Sequence, residues 1–293
     1  MDLWSKKLLL NKSDGLFVAV STDSNTVAYS KDGLNWNTST LPNSRDWYKV
    51  VYGKGKFVAI GYNSSAAAYS TDGVNWVETT LPSSTYWKDI AYGNGRFVVI
   101  SHNRNKVAYS YDGINWTETT LPKAAYWNAV TYGNGKFIVV SSNSEGSAYS
   151  EDGETWEAST ALNDGSWQDI IYGEGKFVTA KYPDTDEGAY STDGENWVAT
   201  TLPSSARWVC FAYGKGRFVA ISYANTSAAY SDDGITWHSS TLPSSAQWRG
   251  VAYGNGKFVV VGPNKIVCSK DGVTWTTVTS PSNKTWQAIT YGG

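Results

Sequence analysis

The chain repeats one turn seven times. The clearest copy is Tyr69 to Trp76, which reads YSTDGVNW. Asp-Gly is a tight-hairpin dipeptide: glycine accepts a positive φ without steric cost, and aspartate tolerates it. The carboxylate also accepts hydrogen bonds from backbone N–H groups in its own turn. The turn aspartates are Asp32, Asp72, Asp112, Asp152, Asp193, Asp233 and Asp271, each followed by Gly, at intervals of 40, 40, 40, 41, 40 and 38 residues. Three residues beyond each glycine stands a tryptophan: Trp36, Trp76, Trp116, Trp156, Trp197, Trp237 and Trp275. A second tryptophan follows in every copy: Trp47, Trp87, Trp127, Trp167, Trp208, Trp248 and Trp286. Five residues after each of these comes Tyr-Gly, and a Phe opens the next apolar run, from Phe17 to Phe258. Self-similarity near 40 residues indicates a propeller or a solenoid.

Each unit reads as four short strands. In the second copy these are WYKVVY from Trp47, KFVAI from Lys56, AAAYS from Ala66 and NWVETT from Asn75, here called A, B, C and D. No 3.6-residue period appears; alternation and β-branched residues prevail. Pro82 in the TLPSS link ends strand D. At 293 residues the length alone suggests two domains, but the unbroken repeat argues for one body. The last strand A, WQAITYGG, has no B, C or D after it, and the first B, C and D follow only an irregular segment. The economical solution is a ring in which the C-terminal strand pairs with the N-terminal three, leaving no open edge in the inner ring. The expected fold is all-β: a single seven-bladed β-propeller with four-stranded blades over residues 17–293, and an atypical strand or arm over residues 1–16.

Several function classes are disfavoured. A net charge of −2 argues against nucleic acid as a partner. No apolar run approaches the ~20 residues that span a bilayer, so no membrane insertion is expected. The start, MDLWSKKLLLNKSDG, has too short an apolar core for a secretory signal, so the expected place of synthesis is the cytoplasm. Cys210 and Cys268 make no disulfide framework and read as buried thiols. No cofactor and no metal ligand set is expected.

The motif S-x-D-G-x-[NT]-W, as in Ser70 to Trp76 and Ser231 to Trp237, resembles the Asp-box of sialidase-type β-propellers, shortened by one residue between Asp and Gly. The resemblance covers nearly the whole chain. It implies that the seven turn aspartates are structural and lie away from the ligand site. It also raises glycosidase activity, which the residues argue against. That family holds its substrate carboxylate with three Arg, one in an F/Y-R-I-P motif that is absent here. Arg45, Arg96, Arg104, Arg207, Arg217 and Arg249 fall at unmatched offsets. A catalytic centre is asymmetric, and repetition of this fidelity leaves it little room. His102 and His238 form no dyad. The expectation is that the chain is not an enzyme.

In a propeller the D-to-A and B-to-C connections share one face. The B-to-C segments vary between copies, and variable loops on a rigid scaffold are where recognition is placed. The second tryptophan family stands at the edge of this face, which suits a sugar stacking on indole. The alternative is that these tryptophans wedge between adjacent blades. Residues before them differ in each copy (Asp46, Tyr86, Tyr126, Ser166, Arg207, Gln247, Thr285), so any sites would be unequal. The acidic loop Asp184-Thr185-Asp186-Glu187 reads as solvated, its spacing matching no known cation loop. The expected function is a lectin-like module that recognises cell-surface glycan, as part of a phage tail or virion. The alternative is a docking protein of a virion or another large assembly. Removing residues 286–293 is expected to leave the ring open and the protein insoluble or weakly cooperative; a truncated chain that melts like the intact one would refute the closure.

Overall fold

The Asp-Gly turns fold as one hydrogen-bonded unit. In the copy at Ser70, the serine Oγ donates to Asp72 Oδ1 (2.9 Å) and accepts the N–H of Gly73 (2.8 Å). Asp72 Oδ1 accepts the N–H groups of Val74 and Asn75, and Oδ2 accepts the Asn75 side-chain amide. Gly73 sits at φ +72°, in the left-handed region that glycine enters freely. Trp76 Nε1 closes the turn on the Gly73 carbonyl (3.2 Å). Partial burial pushes these carboxyls up, but the hydrogen bonds outweigh it and hold Asp72, Asp233 and Asp271 at about 2. The turns therefore stay ionised at any ordinary pH.

The computed structural model describes residues 15–143, 146–159, 161, 162 and 165–293, and all regular structure among them is β-strand. The expectation for residues 1–16 falls, apart from Gly15 and Leu16, outside the described residues. A typical sheet runs from the inside outwards as Trp47–Gly53, Lys56–Gly61, Ser64–Ser70 and Val77–Thr85, all antiparallel. The C-terminal strand Trp286–Gly292 pairs with Leu16–Ser21, which continues to Ser24–Ser30 and Asn37–Arg45. The chain is thus tied end to end within one sheet.

The number of sheets departs from expectation. Counted as hydrogen-bonded sheets, the propeller has six blades and not seven: five have four strands and one has six. The six-stranded sheet carries the third and fourth repeats together. In it, Arg96–Ser110 and Thr117–Gly133 each run as one strand. The reason lies in one extra backbone bridge. In the first, second and fifth repeats the D-to-A link breaks just before the tryptophan; here Tyr126 pairs with His102 on one side and with Ser142 on the other. Pairing then continues through the link into the next inner strand.

The centre is held by a tyrosine-on-glycine contact that recurs around the ring. Each inner strand ends in Tyr-Gly, and the glycine gives its space to the next strand's tyrosine. A methyl on Gly53 would lie 2.1 Å from Tyr92 Cγ; on Gly133, 2.0 Å from Tyr172 Cγ; on Gly292, 1.9 Å from Tyr52 Cγ, across the chain ends. Each tyrosine also packs at 4.7–4.8 Å on the phenylalanine of its own sheet, from Tyr52–Phe57 to Tyr291–Phe17. Further out, hydroxyls latch neighbouring repeats. Thr79, Thr119, Thr200 and Ser240 donate to the carbonyls of Ile114, Glu154, Ile235 and Val273 at 2.6–2.8 Å, and Ser39 donates to Val74. Two junctions differ: Ser159 instead accepts the N–H of Ala161, and Val278 carries no hydroxyl.

Gly133→Ala should destabilise the protein by about 1–3 kcal/mol, because the methyl overpacks a closed contact. Gly135→Asn, in the adjacent turn with nothing within 4 Å and φ +80°, should cost less than about 1 kcal/mol, since asparagine tolerates that region. Urea unfolding measures both; equal costs would remove the close approach from the account of stability.

Candidate functional site

The inner strands begin with a β-bulge. Trp47 pairs with Gly61 and Lys49 with Ile60, leaving Tyr48 unpaired between them. The same shift leaves Lys88, Asn128, Gln168, Val209 and Gln287 unpaired in their strands. A bulge re-aims a side chain and is common beside functional sites. These side chains meet at one mouth of the axial channel, on the face of the D-to-A and B-to-C links. They are joined there by Arg249, which precedes the strand Gly250–Gly254. The cavity they enclose measures about 240 Å³, with Lys49 and Asp169 at its base.

The electrostatics fall into two layers. In the outer layer Lys88 donates to Tyr48 Oη (2.9 Å) and lies 5.1 Å from the centre of its ring. Arg249 donates to Gln287 Oε1 (2.6 Å) and Gln247 Oε1 (3.2 Å), and its Nε is buried without a partner. Neither cation pairs with a carboxylate among the described residues. His102 stands nearby, its Nδ1 3.1 Å from the Trp127 carbonyl. Burial lowers its pKa, the carbonyl opposes that, and Lys88 adds to the lowering, so the ring is neutral at pH 7.

In the inner layer Lys49 bridges to Asp89 at 3.2 Å. Asp89 Oδ2 accepts the N–H of Val130, and Asp169 Oδ2 that of Phe211, so each carboxylate clips its strand to another inner strand. Burial pushes Asp169 up to about 6, against the attraction of Lys49 and with the repulsion of Asp89. Burial alone would lower Lys49, but Asp89 and Asp169 raise it above the ordinary lysine value. The thiol of Cys210 is pushed up by burial and by the charge of Asp169 and is no nucleophile at neutral pH.

The second tryptophan family sits beneath this face. Trp47, Trp87, Trp127, Trp167, Trp208, Trp248 and Trp286 are only 0–2 % exposed. Most donate their indole N–H within the link that precedes them, as Trp47 does to the Asn43 carbonyl at 3.0 Å. None presents an indole face to solvent. The first family packs beside the turns, with Trp156, Trp237 and Trp275 at 7–8 % exposure. The aspartates from Asp32 to Asp271 each serve their own turn. In the acidic loop Asp184 pairs with Arg207 (3.0 Å) and Glu187 with Lys181 (2.6 Å). Among the described residues no three His, Cys, Asp or Glu side chains converge as a metal site.

Sequence reasoning missed the mouth. It weighed the residue before each second tryptophan and passed over the one after it. That position reads Tyr, Lys, Asn, Gln, Val, Arg and Gln in successive copies, a fresh residue almost every time within a repeat that otherwise changes little. Such variation beside an invariant anchor is the available signal.

No family and no curated protein matches the sequence. Solved structures do resemble the fold, and they are β-propellers. A streptogramin B lyase is 15 % identical with a TM-score of 0.74, over 83 % of this chain and 86 % of its own. Virginiamycin B lyase from Staphylococcus aureus is 15 % identical at 0.71, over 80 % and 85 %. YCF48 from Cyanidioschyzon merolae is 14 % identical at 0.64, over 92 % and 89 %. At such identity the likeness is one of fold.

The lectin-like role on a phage tail or virion has no support: the structures that resemble this chain are lyases and propeller binding proteins, such as YCF48 with a D1 peptide. The expectation that the chain is not an enzyme rested on the repeat leaving no room for an asymmetric centre. Enzymes share this fold, and the bulged positions are asymmetric within a regular scaffold. The chain is thus a β-propeller, a fold it shares with lyases and with YCF48.

Asp169 at about 6 lies above its ordinary 3.8, so its ionisation costs stability as the pH rises from about 4 through 6, and Lys49 offsets that cost. Lys49→Met should therefore lose more stability at pH 7.5 than at pH 4.5. The difference should be about 1–2 kcal/mol, moderated because 32 % of the Lys49 side chain remains exposed. Urea unfolding at both pH values tests this, and equal losses would refute the coupling.

Proposed function

We propose that the protein binds a compact anionic small molecule at the mouth of its axial channel, and that its activity is exerted there. The observation that carries this reading is the pair of cations Lys88 and Arg249, which face one cavity with no carboxylate partner among the described residues. A charge held against a cavity without a counter-ion favours an anion, and Arg adds the two-pronged geometry that carboxylates and phosphates accept. Asn128, Gln168 and Gln287 supply neutral hydrogen-bonding groups around the same opening. The turn units at Asp32 to Asp271, with their serine and aspartate bonds, support kinship with Asp-box repeats.

The position of Asp169 favours a second reading, in which the bound anion is also turned over. A carboxylate at the base of a cavity with a pKa of about 6 suits a general base near neutral pH. Its proton would come from an acidic C–H of the bound anion.

Isothermal titration with inorganic phosphate and with acetate tests the binding. The intact protein is expected to bind at least one of them. The Lys88→Gln/Arg249→Gln variant should bind at least about ten-fold more weakly, a loss of ~1.4 kcal/mol. Lys176→Gln, outside the cavity, should leave binding unchanged. No binding to the intact protein, or equal binding to the double variant, would overturn the proposal. Proton NMR of the bound anion in D₂O tests the second reading, which fails if no C–H exchanges faster than in buffer.

A further inference from the structure

Tyrosines stand on two sides of the same cavity. Tyr48 lies on one inner strand and is backed by Tyr62, whose ring stacks on it at 4.9 Å and 30°. Tyr62 in turn meets Tyr86 at 5.4 Å. Tyr182 and Tyr223 also line the cavity. They follow strands Lys176–Lys181 and Arg217–Ser222, whose partners Trp167–Gly173 and Trp208–Gly214 lie three and four inner strands on from that of Tyr48. They therefore reach the mouth from the opposite arc. Their backbones are fixed: Tyr182 N–H donates to the Ser166 carbonyl and Tyr223 N–H to that of Arg207, both at 2.8 Å. All three cavity tyrosines are half-buried. They have only two side-chain torsions each, so they offer flat apolar area at low entropic cost.

The two chemistries alternate around the opening. Lys88 follows Tyr48 in ring order, and Arg249 follows the strand beside Tyr223. A small inorganic anion would satisfy the cations and leave the rings in water. We infer that the anion bound at the mouth carries a planar aromatic group, held between Tyr48 on one side and Tyr182 and Tyr223 on the other, with its phosphate or carboxylate on Lys88 and Arg249. This rests on the reading of the mouth as an anion site and names the class of molecule that site takes. The phenol of Tyr48 is engaged by Lys88, so the positions of ring and charge are coupled: the cation that holds the anion also orients the tyrosine that would stack on its ring.

Phenyl phosphate and inorganic phosphate, titrated calorimetrically at the same pH and ionic strength, separate the two parts of the claim. The intact protein is expected to bind phenyl phosphate at least about ten-fold more tightly than phosphate. Tyr223→Leu should reduce that ratio at least about three-fold while leaving the phosphate affinity in place, and Tyr223→Phe should retain it. Binding of both probes with equal affinity would overturn the aromatic assignment and leave the anion site standing. A ratio unchanged in Tyr223→Leu would also overturn it. Failure of both probes to bind would remove the anion site and the inference with it. Near-ultraviolet circular dichroism of each variant verifies that it is folded.

Discussion

The structure depends on a tyrosine occupying the space that a missing side chain leaves in the neighbouring strand. At every Tyr-Gly step the ring comes so near the glycine that a single methyl would overlap it. Close-packed interiors do not yield to such an overlap without moving backbone. The contact is heterologous, since each strand gives a glycine to one neighbour and receives a tyrosine from the other. An arrangement of that kind ends only by closing on itself. Gly292 against Tyr52 is where it closes, and the pairing of Trp286–Gly292 with Leu16–Ser21 holds the two ends in register.

That arrangement separates support from recognition along a single strand. The Tyr-Gly end of each inner strand is identical and locked. The opposite end of six of them carries a bulge whose extra residue takes no part in the ladder. Tyr48, Lys88 and Gln168 are half-buried at the opening, whereas Asn128 and Gln287 are buried, Asn128 donating to the Trp167 carbonyl, and Val209 packs on the core around Trp248. The half-buried positions carry different chemistry in each copy on a scaffold that repeats. The inner layer is less free: Asp89 and Asp169 bind backbone N–H groups of other inner strands, so they are tied to the scaffold as well as to the cavity.

Much of the scaffold was legible from residues alone. The Asp-Gly period placed the turns, and the unmatched last strand A placed the pairing of the ends. The sheet count was not legible, because it turns on whether the link before a tryptophan keeps its backbone pairing. That is decided by the bridge of His102 to Tyr126, which no residue type dictates. The role of the second tryptophans was half legible. Their recurrence at strand starts is equally compatible with a wedge and with a platform, and only the depth at which TLPSS-type links cover them decides. The mouth was not legible because its residues are the unrepeated ones beside a repeated aromatic, and because a bulge leaves no mark in local composition.

The hydroxyl latches give the ring an uneven perimeter. Five junctions between neighbouring repeats are fastened by a Ser or Thr reaching the next turn's carbonyl. At Ser159 the hydroxyl instead accepts the N–H of Ala161 in its own link, and Val278 has no hydroxyl. These two seams divide the circumference into arcs of unequal length. Other bonds hold those seams: Asn128 reaches the Trp167 carbonyl and Asn134 that of Thr192 across the first, and Arg249 reaches Gln287 and Asn255 the Lys31 carbonyl across the second. The arc running from the second seam through the tied termini to the first carries Lys88 and Tyr48, whereas Tyr182, Tyr223 and Arg249 belong to the other. The mouth is thus built from both arcs, and where the rim lacks a latch its own lining does the joining: Asn128 to the Trp167 carbonyl at one seam, Arg249 to Gln287 at the other.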